Sequence, residues 1–143
     1  MKKIANVLLF FHYGLDNIKN NPRTVYDYEV GIYSNSTTYD AKIGLIYTSD
    51  YGFSTSNTYW LDTLDNVWSS AKNYNWLYLG STEWTITRTS DTLSGAFRVD
   101  SSGYIGYDYS TSLPHEVRPC FYLNSNVSYV SGIGSSSDPY RIN

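Results

Sequence analysis

Glu83-Trp84-Thr85-Ile86-Thr87-Arg88 alternates side-chain character residue by residue. Further on, Ala96-Phe97-Arg98-Val99 runs into Asp100-Ser101-Ser102-Gly103, and Tyr104-Ile105-Gly106-Tyr107 follows. A period of two predicts a strand with one buried face. Two β-forming runs joined by a short Asp/Ser/Gly stretch predict a hairpin. Antiparallel β structure is therefore expected in the middle of the chain.

Downstream, Val117-Arg118-Pro119-Cys120-Phe121-Tyr122-Leu123 is the last strong strand candidate. Pro119 has no N–H to give a ladder, so it belongs at a bulge or an unpaired edge. Val127-Ser128-Tyr129-Val130 predicts a short strand, Gly132 to Pro139 a loop, and Tyr140-Arg141-Ile142 a closing strand paired with a neighbour. Upstream, Trp76-Leu77-Tyr78-Leu79 reads as another β segment. Before it, Trp60, Leu61, Leu64, Val67, Trp68 and Ala71 recur at helical offsets. They predict a helix capped by Asn57 or Thr58 and ended by Asn73 and Asn75, with its tryptophans in the core.

Lys42 to Tyr47 is a short apolar run expected to be a buried strand, and Asn35 to Thr38 a turn. Val25 to Ile32 alternates β-formers with polar residues and predicts a strand with one wet face. Asp16 to Arg23 is a polar connector with a proline stop. Met1-Lys2-Lys3 followed by Ile4 to Phe11 has the outline of an export signal, but no small-residue cleavage site follows. A short strand or helix packed on the body is the favoured expectation there.

The 143 residues suit one domain spanning 1–143. Charged residues are 16% of the chain, against about 25% in ordinary globular proteins. Hydrophobic residues are 41%, enough to exclude a charged disordered tail. No run of apolar residues is long enough to span a membrane. Ten basic residues scattered among thirteen acidic ones form no stripe for nucleic acid. A single cysteine, Cys120, excludes an internal disulfide framework and a cysteine-rich zinc site. Two histidines leave little for a histidine metal site, and no phosphate loop, nucleophile elbow or zincin motif is present. No metal or cofactor is expected.

Individual residues offer little catalytic chemistry. Cys120 is expected to be a buried structural thiol. His115 and Glu116 are neighbours, so they read as a polar loop pair and not as a dyad. Asp62 and Asp65 are expected to face water. Glu83 and Arg118 are read as a charged pair that fixes core geometry, with Trp84 and Phe121 as core. The competing reading makes the pair a charged anchor in a pocket.

What stands out is 16 Tyr, 20 Ser, 13 Thr and 12 Asn, with only five Lys and three Glu. From Thr89 to His115 the chain is dense in Ser, Tyr and Asp. Tyrosine gives broad, stiff, amphipathic contact, and small polar residues adapt their hydrogen bonds, the combination that antibody paratopes use. Such rings also suit the C–H faces of sugars, and Trp60 and Trp68 would join a sugar site if they were not in a helix.

A family resemblance is carried by three blocks: Ala41 to Phe53, Trp76 to Gly80 with Glu83 to Arg88, and Val117 to Val127 with Ser131 to Gly134 and Asp138 to Ile142. From Val25 to Ile142 the chain resembles surface-type proteins of unassigned function in gut Firmicutes. Residues 1–21 match poorly. More distantly, a Glu-Trp strand (Glu83-Trp84), a hairpin and a late arginine-bearing strand (Val117-Arg118) resemble the C-type-lectin-like fold in its formylglycine-generating-enzyme variety. That enzyme's paired cysteines are missing, so its activity does not carry over. The resemblance implies an α+β, C-type-lectin-like domain of short antiparallel strands with one or two helices. It also implies kinship with the variable receptor-binding proteins of diversity-generating retroelements. There, mutated adenines turn Asn codons into Tyr, Ser and Asp codons.

The expected function is non-catalytic recognition of a protein or carbohydrate ligand in an extracellular or surface setting. The expected binding residues are Asp91, Arg98, Tyr104, Tyr107, Asp108, Tyr109 and Ser110. A structural accessory domain is the alternative. An enzyme would need a deep pocket holding two carboxylates of perturbed pKa.

Overall fold

Asn21 and Pro22 start the first element of the computed structural model, which describes residues 19–29, 43–64, 75–89, 94–121, 123 and 125–143. The Asn21 side chain accepts the Thr24 backbone N–H at 2.9 Å, and Pro22 occupies the first helical position, where its missing N–H costs nothing. Helix α1, Pro22–Glu29, results, burying Pro22, Val25 and Glu29 along one side. This corrects the strand expected from Val25; residues 30–32 lie outside the described set. The Val/Tyr alternation is outweighed by a cap and by three anchors at helical spacing.

Strand β1 is Gly44–Leu45, shorter than the run from Lys42 suggested. Helix α2, Thr48–Phe53, follows, and the Asp50 carboxylate accepts the Tyr47 N–H at 2.9 Å at its start. At Gly52 a Cβ would sit 2.5 Å from Leu64 and 2.7 Å from Pro22, so glycine is what lets α1 and α2 close up. Asn57–Tyr59 is a 3-10 turn and caps no continuous helix from Trp60: of the described stripe residues Trp60 and Leu61 are exposed and Leu64 reaches the core. Val67, Trp68 and Ala71 lie outside the described residues, as do Met1 to Phe11 and the Asn35 to Thr38 turn.

The central prediction holds. β2 (Glu83–Arg88), β3 (Ala96–Val99) and β4 (Ile105–Asp108) form an antiparallel sheet in that order. Trp84, Arg98 and Gly106 share a row, as do Glu83, Val99 and Ile105, and β2 bulges between Trp84 and Arg88. Gly103 closes the β3–β4 turn at φ +87°, a region an L side chain resists. The Asp100 carboxylate collects the Ser102 and Tyr104 N–H groups there.

On the far edge of β2, Ile86 N–H donates to Ile46 at 2.9 Å and Trp84 N–H to Glu116 at 2.9 Å. β5 is only Pro119–Cys120, paired with β1. The longer Val117 to Leu123 strand is not formed, because Val117, Phe121 and Leu123 have no core to face. Phe121, expected in the core, is 64% exposed, and Cys120 is half-buried where full burial was expected. Trp76 to Leu79 is a turn and extended segment with Trp76 exposed, not a strand.

The core gathers Val25, Ile46, Tyr51, Leu64, Phe97, Val99 and Ile105, with Tyr107 and Cys120 packed at its margin. Beyond it, β6 (Tyr129–Ser131) and β7 (Arg141–Ile142) form a separate hairpin, as expected. None of its residues is buried.

Candidate functional site

Alternation decides what happens to the expected binding residues. Phe97, Val99 and Ile105 point inward, so Arg98, Gly106 and Asp108 lie on the sheet's other face. There Arg98 Nε donates to Asp108 Oδ2 at 2.6 Å, and His115 Nε2 meets the same oxygen at 2.8 Å. The His115 ring lies on Trp84, centroids 4.6 Å apart, and Asp100 adds a second carboxylate 3.7 Å from Arg98. A Cβ at Gly106 would come within 3.3 Å of the Arg98 guanidinium, so the glycine leaves that group its bed. Burial opposes the Asp108 charge, but hydrogen bonds from His115 and Arg98 and the arginine's charge outweigh it and hold the carboxyl below its usual range.

Tyr107 instead packs at the core margin, edge-on to Phe97, and makes a second edge contact with Tyr109 at 5.4 Å. Tyr109 is 55% exposed, Ser110 bonds Ser112 at 2.7 Å, and Tyr104 is half-buried beside the turn. The seven expected residues therefore do not make one patch. The charges sit on one face, the phenols of 107 and 109 on the other, and Asp91 lies outside the described residues. His115 pairs with Asp108 across the fold and not with Glu116, whose carboxylate takes the Ser81 hydroxyl. Nothing local in the sequence marks that contact.

Glu83 and Arg118 do meet. Glu83 is 1% exposed, its carboxylate gripped by Arg118 Nε at 2.9 Å and by Nη2. Nη2 also donates to the Leu77 carbonyl at 2.6 Å. One guanidinium thus ties together β2, the 76–77 turn and the segment entering β5.

Those three pieces, with α2, wall a groove of about 390 Å³ that the sequence did not reveal. Leu45, Ile46, Leu77 and Ile86 form apolar walls, and Tyr47, Phe53, Trp76 and Phe121 supply aromatic ones. Trp76 is 76% exposed yet held in place from below. Buried Asn75 donates to the Tyr51 carbonyl at 2.8 Å, accepts the Leu77 N–H at 2.9 Å and bonds Ser54. Cys120 lines the same groove, its thiol pKa raised by burial and then by the Asp50 charge. Asp50 is the one charged residue among the described lining residues. Burial raises its pKa, and the Tyr47 N–H offsets part of the rise.

Among the described lining residues Asp50 is the one carboxylate. Among the described residues no cluster of His, Cys, Asp and Glu is arranged to hold a metal, and no helix is long and apolar enough to cross a membrane. No family model, curated protein or solved structure matches the chain.

Proposed function

We propose that the chain is a non-catalytic ligand-recognition module of a bacterial or phage surface protein, with a C-type-lectin-like scaffold, and that its ligand, protein or carbohydrate, enters the groove between α2, β1 and the 76–77 turn. The observation that carries this reading is the groove itself. It is open, walled by four aromatic residues, and fixed by the buried Asn75 and Glu83–Arg118 contacts. Such a preformed, mostly apolar cavity with one polar feature is the usual form of a binding site. The scaffold reading is supported by two helices ahead of an antiparallel sheet and by the Glu83-Trp84 strand bonded to a late arginine segment. Kinship with retroelement-diversified receptor-binding proteins remains part of this proposal, supported by the Tyr/Ser/Asp-rich segment alone.

The test is binding to glycan and protein arrays by the intact chain and by a Trp76→Ala/Phe121→Ala variant. Both side chains are exposed, so the variant should keep its fold. At least a roughly tenfold loss on the arrayed ligands is expected. Equal binding by the two proteins would remove the groove from the function.

A structural accessory role is favoured by one observation. Tyr129, Val130, Ile133, Tyr140 and Ile142 of the β6–β7 hairpin are all exposed, and a lone two-stranded hairpin is marginal in water. Array silence together with concentration-dependent self-association would support that role.

A further inference from the structure

The ligand-recognition reading of the groove leaves open what kind of group it receives. Its electrostatics are lopsided. Asp50 Oδ2 is engaged by the Tyr47 N–H, while Oδ1 has no hydrogen-bond partner among the described residues. Among the described residues that line the cavity there is no lysine, arginine or histidine to balance that charge. Elsewhere in the described residues Glu83 is matched by Arg118 and Asp108 by Arg98 and His115, while the buried Glu29 is held by neutral donors.

We infer that the groove takes the side chain of a lysine on a partner protein, with the ammonium against Asp50 Oδ1 and the methylene stem along Leu45, Leu77 and Ile86. Three features select this group. The charge complements a lone carboxylate in apolar surroundings, where attraction is weakly screened. The faces of Trp76, Phe53 and Phe121 add cation–π attraction for an ammonium. The walls reward a hydrocarbon stem and penalise a ring bearing several hydroxyls, because Asp50 offers a single free acceptor and the walls are mostly apolar. This last point disfavours an amino sugar. It also disfavours arginine, whose five N–H donors would face a single free acceptor. A cation would also relieve the burial that raises the Asp50 pKa.

This inference rests on the recognition reading, and the experiment separates the two. The probe is Nα-acetyl-lysine methylamide, with its Nε-acetylated form and Nα-acetyl-norleucine methylamide as uncharged analogues. Glucosamine is the sugar counterpart. Binding is followed by calorimetry and by the rate of Cys120 alkylation, a local reporter because Cys120 is the chain's one cysteine and lines the groove. The lysine probe should slow alkylation and bind roughly tenfold more tightly than either uncharged analogue. Asp50→Asn, which can still accept the Tyr47 N–H, should abolish that margin while leaving norleucine binding unchanged. The comparison of probes on the unaltered protein stands even if the variant does not fold. Equal protection by charged and uncharged probes would overturn the lysine inference and keep the groove as a recognition site. Protection by glucosamine but not by lysine would overturn it in favour of a sugar. Unchanged alkylation with every probe would end both readings.

Discussion

The outer face of the β3–β4 hairpin and the groove beside α2 treat charge in opposite ways. On the hairpin, Asp108 is shared by Arg98 and His115, and Asp100 backs Arg98 from the other side. Each group there already has its partner, so a ligand would have to break a bond to make one. In the groove Asp50 has an oxygen to spare and no cation among the described lining residues. The hairpin face is a closed electrostatic circuit that holds shape; the groove is an open one that can receive something. Residue types alone do not tell the two apart. The sequence presents Arg98 and Asp108 as tempting anchors, and it gives Asp50 no mark of its own.

The largest effect should come from the brace behind the groove. Arg118→Met would leave the Glu83 carboxyl almost wholly buried and without its cation. A loss of about 3–5 kcal/mol is expected in urea denaturation. Glu83→Gln combined with Arg118→Met should recover part of that loss but not groove binding, since Leu77 would lose the guanidinium that fixes its carbonyl. A loss under about 1 kcal/mol for the single variant would mean that water reaches Glu83, and the closed circuit would not be what holds this region.

Glu29 sharpens the comparison with a third arrangement. It is buried, with no cation beside it among the described residues, and is held by the Ser49 backbone and hydroxyl and by the Thr87 hydroxyl. Burial raises its pKa from 4.5 to about 7, against the pull of those hydrogen bonds. This circuit is closed by a proton. A folded pKa above the unfolded one means that the native state binds the proton more tightly, so the stabilisation is complete below about pH 4.5. It drains away as pH rises and is gone above about pH 7. Roughly 3 kcal/mol of stability should be lost across that window. Glu29→Gln should flatten the profile and be the more stable form at pH 8. An equally steep profile in the variant would assign the pH dependence to other groups.

How far this was legible depends on the range of the interactions. Glu83 to Arg88 and the Ala96–Tyr107 hairpin were readable because period-two alternation and a Gly103 turn are local properties. The same alternation also places Arg98 and Tyr107 on opposite faces, so the division of the expected patch was within reach. Helix α1 was misread because Val25, Tyr26 and Tyr28 favour strands. Asn21 and Pro22, a cap and a first-turn proline, were the local signal for a helix. The groove had no such signal. Its walls come from residues 44–47, 50, 53–54, 76–77, 86 and 120–121, and only tertiary packing brings them together. The Asp108–His115 and Arg118–Leu77 contacts are invisible for the same reason.

The smallest effect is the one that separates the two surfaces most cleanly. Tyr109 is exposed and touches Tyr107 edge-on, so Tyr109→Ala should change stability by no more than about 0.5–1 kcal/mol. If recognition belongs to the groove, affinity for any arrayed ligand should be unmoved, because Tyr109 does not line that cavity. If the tyrosine-rich hairpin is the paratope, loss of an exposed ring at its end should weaken binding severalfold with no matching loss of fold. Stability and affinity measured on this one variant therefore oppose the two surfaces directly. A folded Tyr109→Ala protein that no longer binds would return the function to the hairpin, and Asp50 would then be a helix-capping acid at the edge of a vacant cleft.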